Sequence, residues 1–196
     1  LQTLADTYTG EALYEVIDAG GGGFHGYTDR SFPHSYVSDT SDFLIVTYYD
    51  SYDPLPAEFG LQGYNLDNIT GFSNIIAAEF ECGYDTIPRG RVSGMKVKNL
   101  DSGRWYYAVV YYDNKGREIQ TFSENHLSGT DRVSVSYNDH TGEVLSTVHE
   151  HKTMYDSVDI GQRIVYDHVG RPLETYHQIR GEEEVLLAAY KYNTVG

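Results

Sequence analysis

His149-Glu150-His151 sets two imidazoles two residues apart. On a strand, residues at that spacing share a face, so His149 and His151 would open a zinc or nickel site, with His140 across an expected hairpin. A zinc site takes three or four ligands, and the stretch shows no fourth. Polar residues on a solvent-facing strand are the plainer reading, and no cofactor is expected. Gly21-Gly22-Gly23-Phe24-His25-Gly26 matches the dinucleotide pattern G-x-G-x-x-G. That site needs a helix directly behind it, whose N-terminus holds the pyrophosphate. Tyr27-Thr28-Asp29-Arg30-Ser31-Phe32-Pro33 follows without a helical period, which favours a hairpin loop. Paired carboxylates could hydrolyse a glycoside, but Asp50, Asp53, Asp85, Asp113 and Asp167 sit mostly at expected turns, and Glu182-Glu183-Glu184 forms an expected solvated tip. Gly71-Phe72-Ser73-Asn74-Ile75 lacks the last glycine of a nucleophile elbow. Cys82 is the only cysteine, with no His and acid partners close in sequence, and reads as an inert thiol. The expectation is a chain without catalytic residues.

The elements that would hold these side chains are strands. Hydrophobic residues make up 40% of the 196 residues, enough for a real core. Nineteen tyrosines favour strands and twenty glycines imply many tight turns. The net charge is −15 with no basic cluster, which argues against a nucleic acid or an anionic membrane surface as partner. No apolar run reaches spanning length, so no membrane insertion is expected of this segment. The chain opens at Leu1 and ends at Gly196, and reads as a piece of something longer.

Within it a pattern repeats. Gly116, Gly142 and Gly170 are each followed three residues on by Ile119, Leu145 or Leu173, and five on by Thr121, Thr147 or Thr175. Ahead of them stand Tyr112-Asp113, Tyr137-Asn138 and Tyr166-Asp167. A further copy opens at Tyr192-Asn193 and stops on Gly196, and a faint one occupies Gly10–Val16. Each copy reads as a β-hairpin whose Asp or Asn accepts backbone N–H bonds in the turn and whose glycine supplies a positive φ. Arg117 and Arg171 would pair with Asp113 and Asp167 as exposed ion pairs, worth about 0–1 kcal/mol each. Alternation puts Val133, Val135 and Tyr137 on one strand face and Ser134 and Ser136 on the other. The valine face is the expected buried one, with the tyrosine as its last residue. A lone hairpin is marginal, so the units need neighbours.

The Tyr-Asp-x-x-Gly-Arg pattern, with a period in the twenties, resembles the YD (tyrosine–aspartate) repeats of the Rhs family, and the wider sequence is most similar to Rhs-repeat proteins of Bacteroidetes. The resemblance covers about residues 94–196. Tyr112-Asp113…Gly116-Arg117 and Tyr166-Asp167…Gly170-Arg171 match in full, whereas the copies at Tyr137 and Tyr192 carry Asn for Asp, and Glu143 replaces the arginine after Gly142. The resemblance implies a mainly β fold, stacked antiparallel hairpins in a curved or spiralling sheet with at most one or two short helices. It implies a shell around a C-terminal toxin or effector domain of the same polypeptide, or a large surface scaffold, and a secreted or cell-surface location. The family's self-cleaving core carries Asp-Pro-x-Gly; the only Asp-Pro here runs on as Asp53-Pro54-Leu55-Pro56, so no catalytic residue carries over.

Residues 1–93 form the expected degenerate hairpin region, and 94–196 the repeat region. Ser41–Asp50 echoes Ala108–Asp113 and reads as a degenerate unit. Pro54 to Gly71 reads as a long loop. Ser73–Glu81 reads as a short helix with Ser73 as N-cap. Pro88-Arg89-Gly90-Arg91 breaks the pattern and marks a boundary near 84–93, where a second domain and one continuous sheet are equal expectations. Trp105-Tyr106-Tyr107 and Tyr111-Tyr112 put aromatics on both faces of one strand. One face would be core and the other would pack on neighbouring units. The alternative is a carbohydrate- or receptor-binding module that stacks exposed tyrosines on surface glycans.

Overall fold

The computed structural model describes residues 14–18, 24–31, 39–52, 55 and 64–193. Among these residues nine strands follow one another in chain order in an antiparallel sheet. They are β1 (Ile45–Tyr49), β2 (Val92–Lys98), β3 (Trp105–Tyr112), β4 (Glu118–Glu124), β5 (Thr130–Tyr137), β6 (Val144–Lys152), β7 (Ser157–Tyr166), β8 (Pro172–Ile179) and β9 (Val185–Ala189). The fold is mainly β. Among the described residues the only helical elements are short 3-10 turns, at Phe24–Gly26, Thr40–Asp42, Asp67–Ile69 and Ala77–Phe80.

The helix expected over Ser73–Glu81 is therefore only the four-residue turn Ala77–Phe80, opened by Ile76 without a side-chain cap. Ser73 bonds elsewhere. Its N–H and Oγ both donate to Gln178 Oε1 on β8, at 3.1 and 3.2 Å. A nine-residue helix is marginal by itself. Here the burial of Phe72, Ile75 and Phe80 against the sheet decides the path instead.

By compactness the chain divides into two units. One comprises Leu1–Leu61 with Arg89–Tyr107, the other Gln62–Pro88 with Ala108–Gly196. In the first unit β1 pairs with β2, with a bulge before Tyr49. Tyr48 is fully buried; its hydroxyl donates to His25 O at 2.8 Å, and its ring stacks on Tyr27. The described end of the glycine-rich run, Phe24-His25-Gly26, turns the chain between Ile17 and Tyr27, which form an antiparallel bridge. Beside that bridge the Glu15 carboxylate accepts from Thr28 Oγ1, the Arg30 and Ser31 amides and Ser31 Oγ. Burial pushes this carboxyl up, but the four donors outweigh it and hold its pKa at about 2.

In the second unit, residues 64–88 form a strap across one face of β4–β8. Ile69, Phe72, Ile75 and Phe80 bury their side chains with Val148 of β6, and Leu66 packs against them. Burying an apolar side chain of this size contributes about 1.5–3 kcal/mol. The covered face is the serine face: Ser134 and Ser136 are 0% and 1% exposed, whereas Val133, Val135 and Tyr137 are half-buried. This reverses the expected orientation. Alternation separates the two faces correctly but does not say which one a distant segment will cover. Ser134, Ser136, Ser146 and Gly161 are small, and they let the strap come close. A Cβ on Gly161 would stand 2.6 Å from Ile75 Cδ1 and 2.7 Å from the Phe72 ring.

Side chains rising from the sheet meet the strap's polar backbone. Gln120 accepts from Asn65 N at 3.3 Å and donates to Asn65 O at 2.6 Å, as a neighbouring strand would. Arg132 donates to Asn65 Oδ1 at 2.6 Å, and Arg180 to Asn68 O at 2.6 Å. Arg163 grips Glu184 with two bonds of 3.0 and 2.8 Å, and Asn74 Nδ2 donates to the same carboxylate. Hydrogen bonds to Arg163 lower the Glu184 pKa. Glu184 is thus an anchor of the strap rather than part of a solvated tip, while Glu182 and Glu183 are exposed.

Candidate functional site

The repeat motif builds a turn of fixed chemistry. Between β3 and β4, Asp113 Oδ1 accepts from the amides of Lys115 and Arg117, both at 2.9 Å. Asp113 N donates to Arg117 O at 3.0 Å, and Gly116 N to Asp113 O at 2.9 Å. Asp113 Oδ2 accepts from Arg117 Nε at 2.6 Å. Gly116 closes the loop at φ +77°, a conformation that L side chains resist. Between β7 and β8, Asp167, Val169, Gly170 and Arg171 reproduce every one of these bonds. In the middle turn Asn138 Oδ1 accepts from His140 and Thr141, and Gly142 N donates to Asn138 O.

The first ion pair is not the exposed one expected. The Asp113 side chain is 1% exposed and that of Arg117 19%. Burial disfavours the arginine's charge, but its hydrogen bonds to Asp113 and Asp139 outweigh that and raise its pKa. At the other turn, the Arg171 amide and guanidinium hold the Asp167 carboxyl at about 2, against a smaller opposing effect of desolvation.

The turns are also linked to one another. Tyr137 Oη donates to Glu118 O at 2.9 Å, Tyr166 Oη to Val144 O at 2.8 Å, and Tyr192 Oη to Pro172 O at 2.7 Å. Each acceptor lies two residues past the preceding repeat's glycine, so every one of these tyrosines is bonded to the copy before it. The arginines complete the link. Arg117 sits 4.6 Å from the Tyr137 ring centroid and Arg171 4.4 Å from that of Tyr192, within cation–π range. A register shift precedes Tyr112, Tyr137 and Tyr166 alike. The residue left over on the return strand is Ile119, Leu145 or Leu173. The aliphatic position three past the glycine is therefore a β-bulge, which re-aims neighbouring side chains.

Three further turns of this kind stand outside the Tyr-Asp and Tyr-Asn copies; the one at Asp101–Arg104 is expected from its Asp-Ser-Gly run, but not as a member of the series. Asn99 N donates to Arg104 O, Gly103 N to Asn99 O, and Asn99 Oδ1 accepts from Asp101 and Ser102, the arrangement at Asn138. Asn125 Oδ1 accepts from Leu127 and Gly129, with Ser128 at φ 57° in the glycine's place. The third is split. Asp50 N donates to Arg91 O at 3.1 Å, Gly90 N to Asp50 Oδ1, and Gly90 has φ +72°. Tyr49 pairs with Val92 after a bulge, as Tyr112 pairs with Glu118. Tyr49-Asp50…Gly90-Arg91 thus carries the four residue types of the motif around one turn, with the strap's chain segment inserted inside it, and here the glycine N–H donates to the aspartate side chain. The signal was present in the spacing, since Gly90 lies 26 residues before Gly116, as Gly116 does before Gly142. The insertion hid it.

The remaining candidates do not converge on a site. His149 and His151 lie on β6, paired with Val133 and Asp131; His151 Nδ1 meets Asp131 Oδ1 at 2.5 Å. Among the described residues no group of three His, Cys, Asp or Glu could hold a metal. Cys82 is exposed and lines a cleft with Glu79, Arg117, Tyr137 and Asp139. Partial desolvation by the cleft walls and the Asp113 carboxylate raise its pKa, which favours the weakly nucleophilic thiol. Asp85 Oδ1 accepts from Ile87 N, a local turn bond. Lys96 and Lys98 lie over the Trp105 ring at 5.0 and 5.9 Å, and Arg104 over Tyr106. Tyr111 packs against the Tyr64 and Tyr84 rings, and burial raises its pKa to about 12. Asp53-Pro54, Gly10–Leu13, Gly21–Gly23 and Gly196 lie outside the described residues. No helix among the described residues is long and apolar enough to cross a membrane. Comparison with known proteins found no matching family model, no similar curated protein and no similar solved structure.

Proposed function

We propose that this chain is a non-catalytic structural segment of a large protein of the Rhs/YD-repeat kind, secreted or displayed at the cell surface. It forms part of a β-shell or scaffold that encloses a C-terminal toxin or effector domain of the same polypeptide. One observation carries this reading. The motif residues Tyr137, Tyr166 and Tyr192, with Arg117 and Arg171, each contact the neighbouring copy. A motif used in this way transmits register along a sheet, which is what a wall requires.

Limited proteolysis of the full-length parent tests it. The expected result is a C-terminal fragment that survives natively and is digested once mild denaturant opens the repeats. Immediate loss of the C-terminal region, with the repeats intact, would overturn the container. Binding of this chain to members of a glycan panel would favour instead a recognition module built on exposed rings such as Tyr155 and Tyr190.

A further inference from the structure

The ladder changes at its middle copy. Glu143 occupies the position of Arg117 and Arg171: Asn138 N donates to Glu143 O at 2.8 Å, as Asp113 N does to Arg117 O. Tyr166 still donates to Val144 O, so the backbone step is preserved. Tyr166 nevertheless receives no arginine from the preceding turn, because this chain has none there. A cleft opens at that point, lined by Asn138, Glu143, Leu145, Ile164, Tyr166 and His168 among others.

The two complete copies show what such a position holds. Arg117 lies over the Tyr137 ring, donates through Nη1 to Asn138 O at 3.2 Å, and pairs with carboxylates at Asp113 and Asp139. Asn138 O accepts at the same time from Gly142 N. Its counterpart Asp167 O accepts from Gly170 N at 3.1 Å, and a carbonyl has a second lone pair. The Glu143 carboxylate reaches this turn, since a Cβ on Gly170 would stand 2.6 Å from its Oε1. Glu143 forms no ion pair among the described residues, although Arg117, Arg163, Arg171 and Arg180 of the same unit each hold an acid.

We propose that the cleft between the second and third turns binds a guanidinium group from another polypeptide, an arginine side chain that lies over Tyr166 and pairs with Glu143. A ring face, a carbonyl with a free lone pair and a carboxylate are the groups that hold Arg117 within the chain. Glu143 and Asp167 both flank the cleft, so a ligand with its own carboxylate is disfavoured. That selects an arginine inside a peptide chain over the free amino acid.

The test is a titration of the whole chain, labelled at tyrosine rings and backbone amides, with N-acetyl-arginine amide at neutral pH. Saturable shifts are expected at Tyr166 and at the Asp167–Gly170 amides. Free arginine should bind more weakly, and the neutral isostere N-acetyl-citrulline amide should produce no saturable shift. Glu143→Gln should weaken binding by roughly two- to five-fold, the ratio expected for an exposed ion pair. Glu143→Arg should supply the guanidinium in cis, abolish binding and raise the thermal midpoint. That variant needs no rescue of folding, because it places the arginine that the neighbouring copies carry at this position. Equal shifts with the citrulline probe, or undiminished binding by the Glu143→Arg chain, would overturn the proposal.

Discussion

At Gly170 the backbone turns at φ +83°, and a β-branched side chain there meets the left-handed conformation at its worst. Gly170→Val is expected to cost about 1–2 kcal/mol or more, read as a lower thermal midpoint, whereas Gly170→Asn should cost less because Asn tolerates this region. An unchanged midpoint for the valine variant would remove the turn role assigned to Gly170. The nearby aspartate carries a pH signature. The Asp167 carboxyl is held at about 2 in the folded chain, below the ordinary value near ~3.9 of an unfolded one. A depressed carboxyl stabilises the fold fully above pH ~4 and loses that contribution as pH falls toward 2. Asn138 shows that an amide can still accept the turn's N–H bonds. Asp167→Asn should therefore fold, be less stable at neutral pH, and converge on the parent chain near pH 2. Urea midpoints at several pH values would show the gap closing; a gap of constant size would contradict the assignment.

At the scale of elements, the strap and the sheet face beneath it are fitted to each other at Gly161. Gly161→Ala drives a methyl group into Ile75 and Phe72, and overpacking of this kind costs about 1–3 kcal/mol. Hydrogen exchange should localise the effect. The Ser73 amide, bonded to Gln178, is expected to exchange faster, while the Arg117 amide in its turn keeps its protection. Uniform loss across both would mean that strap and sheet unfold as one. The strap also explains what was legible. Period-two alternation in β5 and the glycine-marked turns were visible locally, since each depends on residues within a few positions of one another. The burial of Ser134 was not, because it lies under the strap, where its hydroxyl meets Asn68, 66 residues away in the chain. Ser73 likewise resembles a helix cap until Gln178, 105 residues on, takes up its donors.

For the whole molecule, β9 is the last strand among the described residues and leaves Val185, Leu186 and Leu187 about half exposed. An apolar edge strand invites pairing with a second chain. Leu187→Lys is expected to reduce concentration-dependent self-association, measured by sedimentation, without lowering the thermal midpoint. The net charge of −15 opposes close approach of copies, so the association of the parent chain should strengthen as salt shortens the ~10 Å screening length. Association that weakens with salt and persists in the lysine variant would point away from this edge.

The letters alone were enough to find the hairpins at Gly116, Gly142 and Gly170 and the residues that recur in them. Asp113, Gly116 and Arg117 and their later counterparts, with Tyr137, Tyr166 and Tyr192, act through bonds that close within one hairpin or reach an adjacent one, and such bonds recur whenever the letters recur. The tertiary structure alone decided that the serine face is covered, that Arg117 and Asp113 are buried together, and that Tyr49-Asp50 and Gly90-Arg91 belong to one turn. Each of these depends on a long insertion leaving one hairpin and crossing the strands of later ones. Closing such a loop carries an entropic cost that grows only slowly with its length, so nothing in the local pattern announces where the segment will come to rest.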